Sequence, residues 1–275
     1  MKRLAEFVMT GRKQAILVTL LLGLIPMVNL LSPVVIGLVT LRKGLKEAGL
    51  VLVWAILPLA AWAVAGDVIP LILVFGLAAL AWILRESESW EFTLLAAIGV
   101  GICVELYMRS QSELLGVVYQ QFELLLSEQN MQMVSLEQFR ETIPSFFGAV
   151  YMFLAAMLLM LSRWMQAALY NPGGFQQEFH GLRIEQKVAA GLLAAMLITT
   201  FVEVIPQSWN LYFTMPLIFS GVALVHGLVG KKKASSMWLV AFYALFPLPG
   251  LIQVLVLAAL IDSWYDFRAR MSKSA

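Results

Sequence analysis

Six stretches of this chain, residues 48–65, 68–84, 92–107, 145–170, 188–205 and 211–229, are each apolar for close to the length of a membrane-crossing helix. A helix needs about 20 such residues to cross the hydrocarbon core, and a water-soluble fold has no use for six of them. With 61% hydrophobic and only 13% charged residues, against about 25% charged in soluble domains, the chain lacks the polar surface to face water all round. Lipid is the expected solvent. The fold class expected is all-α: a polytopic transmembrane helical bundle, one transmembrane domain over residues 1–275.

Two further runs, 14–41 and 238–261, are interrupted, the first by Pro26 and Pro33 and the second by Pro247, Pro249 and Gly250. Proline removes a backbone donor and clashes with the preceding turn, so neither run is expected to be one smooth helix. Charge gives their path, because Lys and Arg collect on the cytoplasmic side of short loops. With the N-terminus inside and each broken run entering and leaving by one face, every one of the 19 basic residues except Arg109 and Arg140 lies inside. A single crossing by either run would strand a basic cluster outside. The expected architecture is therefore six full spans plus two Pro-broken hairpin segments at the ends, with both termini cytoplasmic. Lys2, Arg3, Arg12 and Lys13 flank the start without a small-x-small cleavage site, so the N-terminus is expected to be retained. Irregular backbone at membrane depth needs cover from protein or water. Asn29, Ser32 and Gln253 are thus expected to face protein or a cavity, either satisfying the bends or lining a site.

The connection 108–144 is the one sizeable extramembrane piece, expected outside. Leu115, Val118, Phe122, Leu125 and Leu126 recur at helical spacing. Ser135 to Gln138 fits a capping box that opens a second short helix carrying Leu136, Phe139 and Ile143. This extracytoplasmic insertion reads as a lid or as a plain structural cover.

Much chemistry is excluded. The formal charge of +2 says little about partners, but once the charges are placed around the membrane no basic face remains for nucleic acid. One cysteine, Cys103, and two histidines give no disulfide and no zinc cluster. There is no H-E-x-x-H, G-x-S-x-G or P-loop pattern, so neither enzyme activity nor a cofactor is expected. His226, one turn before Lys231, Lys232 and Lys233, reads as a structural histidine near a helix C-terminus. Ionisable groups inside a membrane are costly and hence informative. Glu105 and Glu203 fall near the outer ends of their helices, and with Trp62, Asp67 and Trp209 they converge on the outer half. Interfacial anchoring, a solute pocket (with Asn29 and Gln253), or proton or cation coupling all suit such a set.

Residues 169–180, LYNPGGFQQEFH, stand apart from the apolar runs around them. Asn171-Pro172-Gly173-Gly174 is a helix stop, since the residue before proline leaves the α region and Pro-Gly suits a type II turn. Phe175, Phe179 and Leu182 then share one face of a short helix expected to lie in the cytoplasmic interface. Glu178, His180 and Arg183 lie on other faces and are expected to meet a partner or the basic C-terminal segment after Asp266, with Glu178 the mate of Arg268 or Arg270. The bland alternative is an interfacial anchor.

Arg163-Trp164, the run from Ala168 through Phe175, Glu178-Phe179-His180 and Leu182-Arg183 resemble the signature of the YybS-like family of bacterial integral membrane proteins. Thr40 to Gly44 and Leu260 to Arg268 are similar to its other landmarks. The resemblance implies a fold distantly similar to the S components of energy-coupling-factor transporters and to MreD. It implies residence in the bacterial inner (cytoplasmic) membrane and a role as a small-solute binding or transport component, or as a non-transporting scaffold for envelope assembly. The partners implied, beyond the lipid bilayer, are a transporter coupling subunit or an envelope-assembly protein. Asn171, Gly173, Gly174, Glu178, His180, Arg183 and Arg268 are then the candidates for docking.

Overall fold

Ten consecutive residues, from Ser32 to Leu41, are buried in the computed structural model, which describes residues 1–129, 136–202, 205–248 and 250–273. The described residues are helical without a strand. They form two compact units, Met1–Leu169 and Tyr170–Ala275.

In the first unit α1 (Lys2–Thr10) and α2 (Arg12–Leu24) precede a 3₁₀ turn, Val28–Leu31, and α3 (Ser32–Lys43). Ile25 takes an extended conformation before Pro26, and Met27 is left-handed (φ 63°), so the run breaks where proline places the break. Next come α4 (Leu45–Val64), α5 (Ile69–Ser87), α6 (Trp90–Ser110), α7 (Ser112–Gln129) and α8 (Leu136–Tyr170). The buried helix α3 packs against α2, α4 and α5. It also meets α8, where Ser162 Oγ donates to the Val34 carbonyl at 3.1 Å. Gly37 permits that approach: a Cβ there would stand 2.7 Å from Ser162 Oγ. The last carbonyls of a helix have no partner within it. In α3 those of Thr40 and Leu41 accept from Arg85 Nη1 at 3.3 and 2.9 Å, and Leu41 also from Gln166 Nε2 at 3.2 Å.

The path of the first broken run follows from two contacts. Arg12 at the start of α2 is ion-paired with Glu47 at the start of α4 (2.8 Å), and Trp62 Nε1 donates to the Gly23 carbonyl near the end of α2 (2.9 Å). Helices α2 and α4 therefore run side by side in one direction, and α3 between them returns the chain to its starting end, where it touches α1. This is the packing of a hairpin.

One expectation needs correcting. Residues 136–143 are not a separate short helix ahead of a span, because α8 runs unbroken for 35 residues with Pro144 inside it, about 52 Å at 1.5 Å per residue. Pro144 cannot donate to the carbonyl four residues back, that of Arg140. Tyr119 of α7 supplies the missing donor, its hydroxyl lying 3.1 Å from that carbonyl. Phe122 and Phe139 stack with centroids 3.5 Å apart, and Arg140 pairs with Glu123. The proposed capping residue Ser135 lies outside the described residues.

The second unit comprises α9 (Gly174–Gly181), α10 (Gln186–Phe201), a 3₁₀ turn Gln207–Trp209, α11 (Asn210–Lys231), α12 (Met237–Leu245), α13 (Leu251–Tyr265) and α14 (Phe267–Lys273). Helices α9 and α10 meet at a bend of 59°. The Asn210 side chain ties the start of α11 to Thr199 and Thr200 at the end of α10. Helix α13 lies against α11 at Gly221, where a Cβ would meet the Leu255 carbonyl at 2.7 Å. Lys231 Nζ donates to the carbonyl of Arg268, so the second broken run also leaves from and returns to one end of its unit.

Among the described residues five helical stretches are long and apolar enough to cross a membrane: α4, α5, α6, α8 and Gln207–Lys231. The pair α9–α10 makes a sixth if it is one span. Their outward residues include Val53, Leu57, Phe75, Phe92, Leu106 and Phe153, all exposed. Such surfaces suit acyl chains, and the chain has the helices of a multipass membrane protein.

Candidate functional site: a basic cleft beside the α9 elbow

The residues expected to line an outer pocket are mostly bound up in the first unit's own structure. Glu105 on α6 is 3% exposed, and its Oε1 accepts from Arg109 Nη2 (2.7 Å), Arg109 Nε (2.9 Å) and Ser145 Oγ (2.9 Å). An intramembrane carboxylate so satisfied ties α6 to α8. Trp62 is committed to Gly23, and the exposed Asp67 caps α5 by accepting from the Ile69 amide at 3.2 Å. Asn29 is buried in the 3₁₀ turn, where its carbonyl accepts from Ser32 Oγ. Both Asn29 and Ser32 have the cover expected of them.

In the second unit Trp209 lies edge-on to Tyr212 at 5.9 Å. Glu203 is outside the described residues. Gln253 departs from expectation, for it is exposed. Helix α13 buries Leu255, Val256, Ala259, Asp262 and Ser263, and Gln253 falls on the opposite side of that stripe.

The opening stretch of the second unit folds as its residues dictate. Gly173 adopts a left-handed conformation (φ 87°), the Gly174 amide donates to the Asn171 carbonyl, and α9 begins at once. Phe175 stacks on Phe179, and Phe179 meets His226 edge-on at 5.4 Å. Helix α11 admits α9 through two glycines. A Cβ on Gly227 would stand 2.9 Å from the His180 carbonyl, and one on Gly230 2.9 Å from the His180 ring.

Across this elbow the C-terminal segment closes a clasp. Asp266 is left-handed (φ 45°) between α13 and α14, which turns Arg268 back along the end of α13. Arg268 Nη1 donates to the carbonyls of His180 (2.7 Å) and Leu182 (2.8 Å), and Nη2 to Asp262 Oδ2 (2.7 Å). The other Asp262 oxygen accepts from the Phe267 amide at 2.9 Å. Asp262 is fully buried and Arg268 6% exposed; Arg268 Nε is buried with no acceptor. Arg183 Nη1 pairs with Asp266 Oδ2 in a more open position. Burial pushes the Asp266 carboxyl up, but the Ala269 amide and the Arg183 and Arg268 guanidinium groups together outweigh it and hold the carboxyl below its ordinary value.

Between elbow and clasp lies a cleft of about 630 Å³ lined by Gln176, Gln177, His180, Arg183, Lys231, Asp266 and Arg268, floored by Gly227 and Gly230. His180, Arg183 and Arg268, which the sequence marked as candidates for partner docking, line it. Glu178 is not a cleft residue, and the carboxylate against Arg268 is Asp262. Asp262, Lys231 and the two glycines were missed. Their signals were an acidic residue inside an apolar run and small residues three apart on one face. Among the described residues no group of His, Cys, Asp and Glu could hold a metal ion. No family model, no curated protein and no solved structure matches the chain.

Proposed function

We propose that the chain is a small-solute-binding component of the bacterial inner membrane that works by binding rather than catalysis, with the cleft of the second unit as its binding site. The cleft carries this reading. Its volume lies within the roughly 300–1,000 Å³ usual for small-molecule sites, and it gathers cations and amides in a chain that is 61% hydrophobic. Glu105, the earlier candidate for a pocket, is spent on Arg109 and Ser145. The likeness of the elbow motif to the YybS-like family, and through it to S components, supports the same role with a transporter coupling subunit as partner.

A second reading, a scaffold for envelope assembly similar to MreD, draws on α12, none of whose residues is buried although Tyr243 reaches His226 of α11; this leaves most of its apolar surface for a lateral partner.

Purification of the full chain in mild detergent, with mass spectrometry of co-purified proteins and small molecules, tests both. A retained solute, or an ATPase module with its coupling subunit, is the expected result. Recovery of envelope-assembly proteins alone, with no solute, would replace the first reading by the second.

A further inference from the structure

We infer that the cleft takes a phosphate-type oxyanion, carried by a phosphorylated solute or by a phospholipid headgroup; this rests on the binding role proposed above and names its ligand class.

Consider first which donors are already committed. Asp262 and the elbow carbonyls hold Arg268, and Asp266 holds one nitrogen of Arg183. Lys231 Nζ gives one of its three protons to the Arg268 carbonyl. Among the described residues no other partner is found for Lys231 or for the remaining guanidinium nitrogens of Arg183, and none for the side-chain amides of Gln176 and Gln177. These unspent donors come from three places: α9 (Gln176, Gln177), the link after it (Arg183) and the end of α11 (Lys231).

The charge balance favours an anion. The cleft's lining carries Lys231, Arg183 and Arg268 against Asp266, and Asp262 behind Arg268 still leaves one positive charge in excess. A carboxylate offers two oxygens in one plane, which suits a single guanidinium fork. A phosphate presents three or four oxygens in tetrahedral directions and suits donors arriving from three elements. The depth also fits. The apolar part of α11 ends at Val229, and Gly230 and Lys231 just beyond it line the cleft, so the cleft sits at the end of a membrane-length helix, where a headgroup phosphate would be met. The volume exceeds a bare phosphate severalfold and leaves room for the organic group that carries it.

The test uses the full chain in a phosphate-free maltoside micelle, with inorganic phosphate and pyrophosphate as probes and chloride and acetate at matched ionic strength as controls. Phosphate should raise the melting temperature by a few degrees where chloride does not. Lys231→Gln should weaken binding at least tenfold, and Gln176→Leu with Gln177→Leu, at exposed positions that leave the clasp intact, should weaken it severalfold. In a second arm, native mass spectrometry follows delipidation from nanodiscs of phosphatidylglycerol or of uncharged glycolipid. Response to free phosphate assigns a soluble ligand, whereas retained phosphatidylglycerol without such a response assigns a headgroup, and either supports the inference. If phosphate and phosphatidylglycerol both fail while a phosphate-free solute is held and lost on Gln177→Trp, the oxyanion inference falls and the solute-binding reading stands. If the cleft holds no ligand of any kind, both fall.

Discussion

Arg12 and Glu47 grip each other through two nitrogens and two oxygens at 2.8–3.2 Å, although 35 residues separate them. The pair closes a loop of chain that dips into the bundle and comes back. Being half-exposed, it contributes only about 0–1 kcal/mol, so its value lies in what it reports. Positions 12 and 47 must share one side of the membrane. In a Cys103→Ser background, single cysteines at 12 and 47 should react alike with an impermeant maleimide, both or neither in intact cells. Labelling of one without the other would mean that residues 14–41 cross the membrane.

Asp262 and Arg268 are the opposite case, a buried pair. Removing one partner of such a pair leaves an uncompensated charge, at a cost of about 3–5 kcal/mol. Asp262→Ala or Arg268→Ala should therefore lower thermal stability in detergent sharply, and the double variant by less than the sum. Simple additivity in the double-mutant cycle would contradict the pairing. The Glu178, His180 and Arg183 triple alanine variant should by contrast stay folded, because Arg268 holds backbone carbonyls of the elbow that alanine also possesses.

The glycines of α11 differ in what they face. Gly227→Ala would drive a methyl into the rigid His180 carbonyl, whereas Gly230→Ala would meet only the end of the His180 ring. Overpacking of this kind costs about 1–3 kcal/mol when the neighbour cannot move. Gly227→Ala should thus be the more damaging of the two, as read by melting temperature and by accessibility of a cysteine at position 176. The reverse ranking would misplace α9.

Asp266 supplies a pH signature. Its carboxyl titrates below the ordinary value of 3.8. The folded state then binds fewer protons than the unfolded one, and stability rises with pH across that window. The contribution of the Arg183–Asp266 contact is complete above about pH 4–5 and is lost as pH falls through the folded-state value. Asp266→Asn should lower the melting temperature slightly at neutral pH, and the difference from the parent should shrink below pH 4. A difference that persisted there would show that Asp266 acts through something other than its charge.

The long apolar runs, the two return paths and the elbow at Asn171–Gly174 were legible because hydropathy, charge placement and proline chemistry each act locally. What escaped depends on contacts between distant segments. Pro144 reads as a boundary until Tyr119 is found at the carbonyl it orphans. Arg268 looks like one of two mates for Glu178, with Arg270 the other, until the left-handed turn at Asp266 folds Arg268 back onto Asp262. Glu105 and Arg109 were four apart on one helix and could have been paired from spacing alone, yet the rarity of intramembrane carboxylates suggested a pocket instead.

The enclosure of α3 also sets a timetable. Ser32 to Leu41 leave the ribosome early, but α4 and α5 follow only later, and Ser162, which seals the last side, is made 128 residues after Val34. Synthesis proceeds from the N-terminus at about 5–20 residues per second, so for many seconds this short segment lies in the membrane with its cover still unmade. Lipid, the insertion machinery or α2 must stand in for the missing helices, and the first unit acquires its core only when α8 arrives.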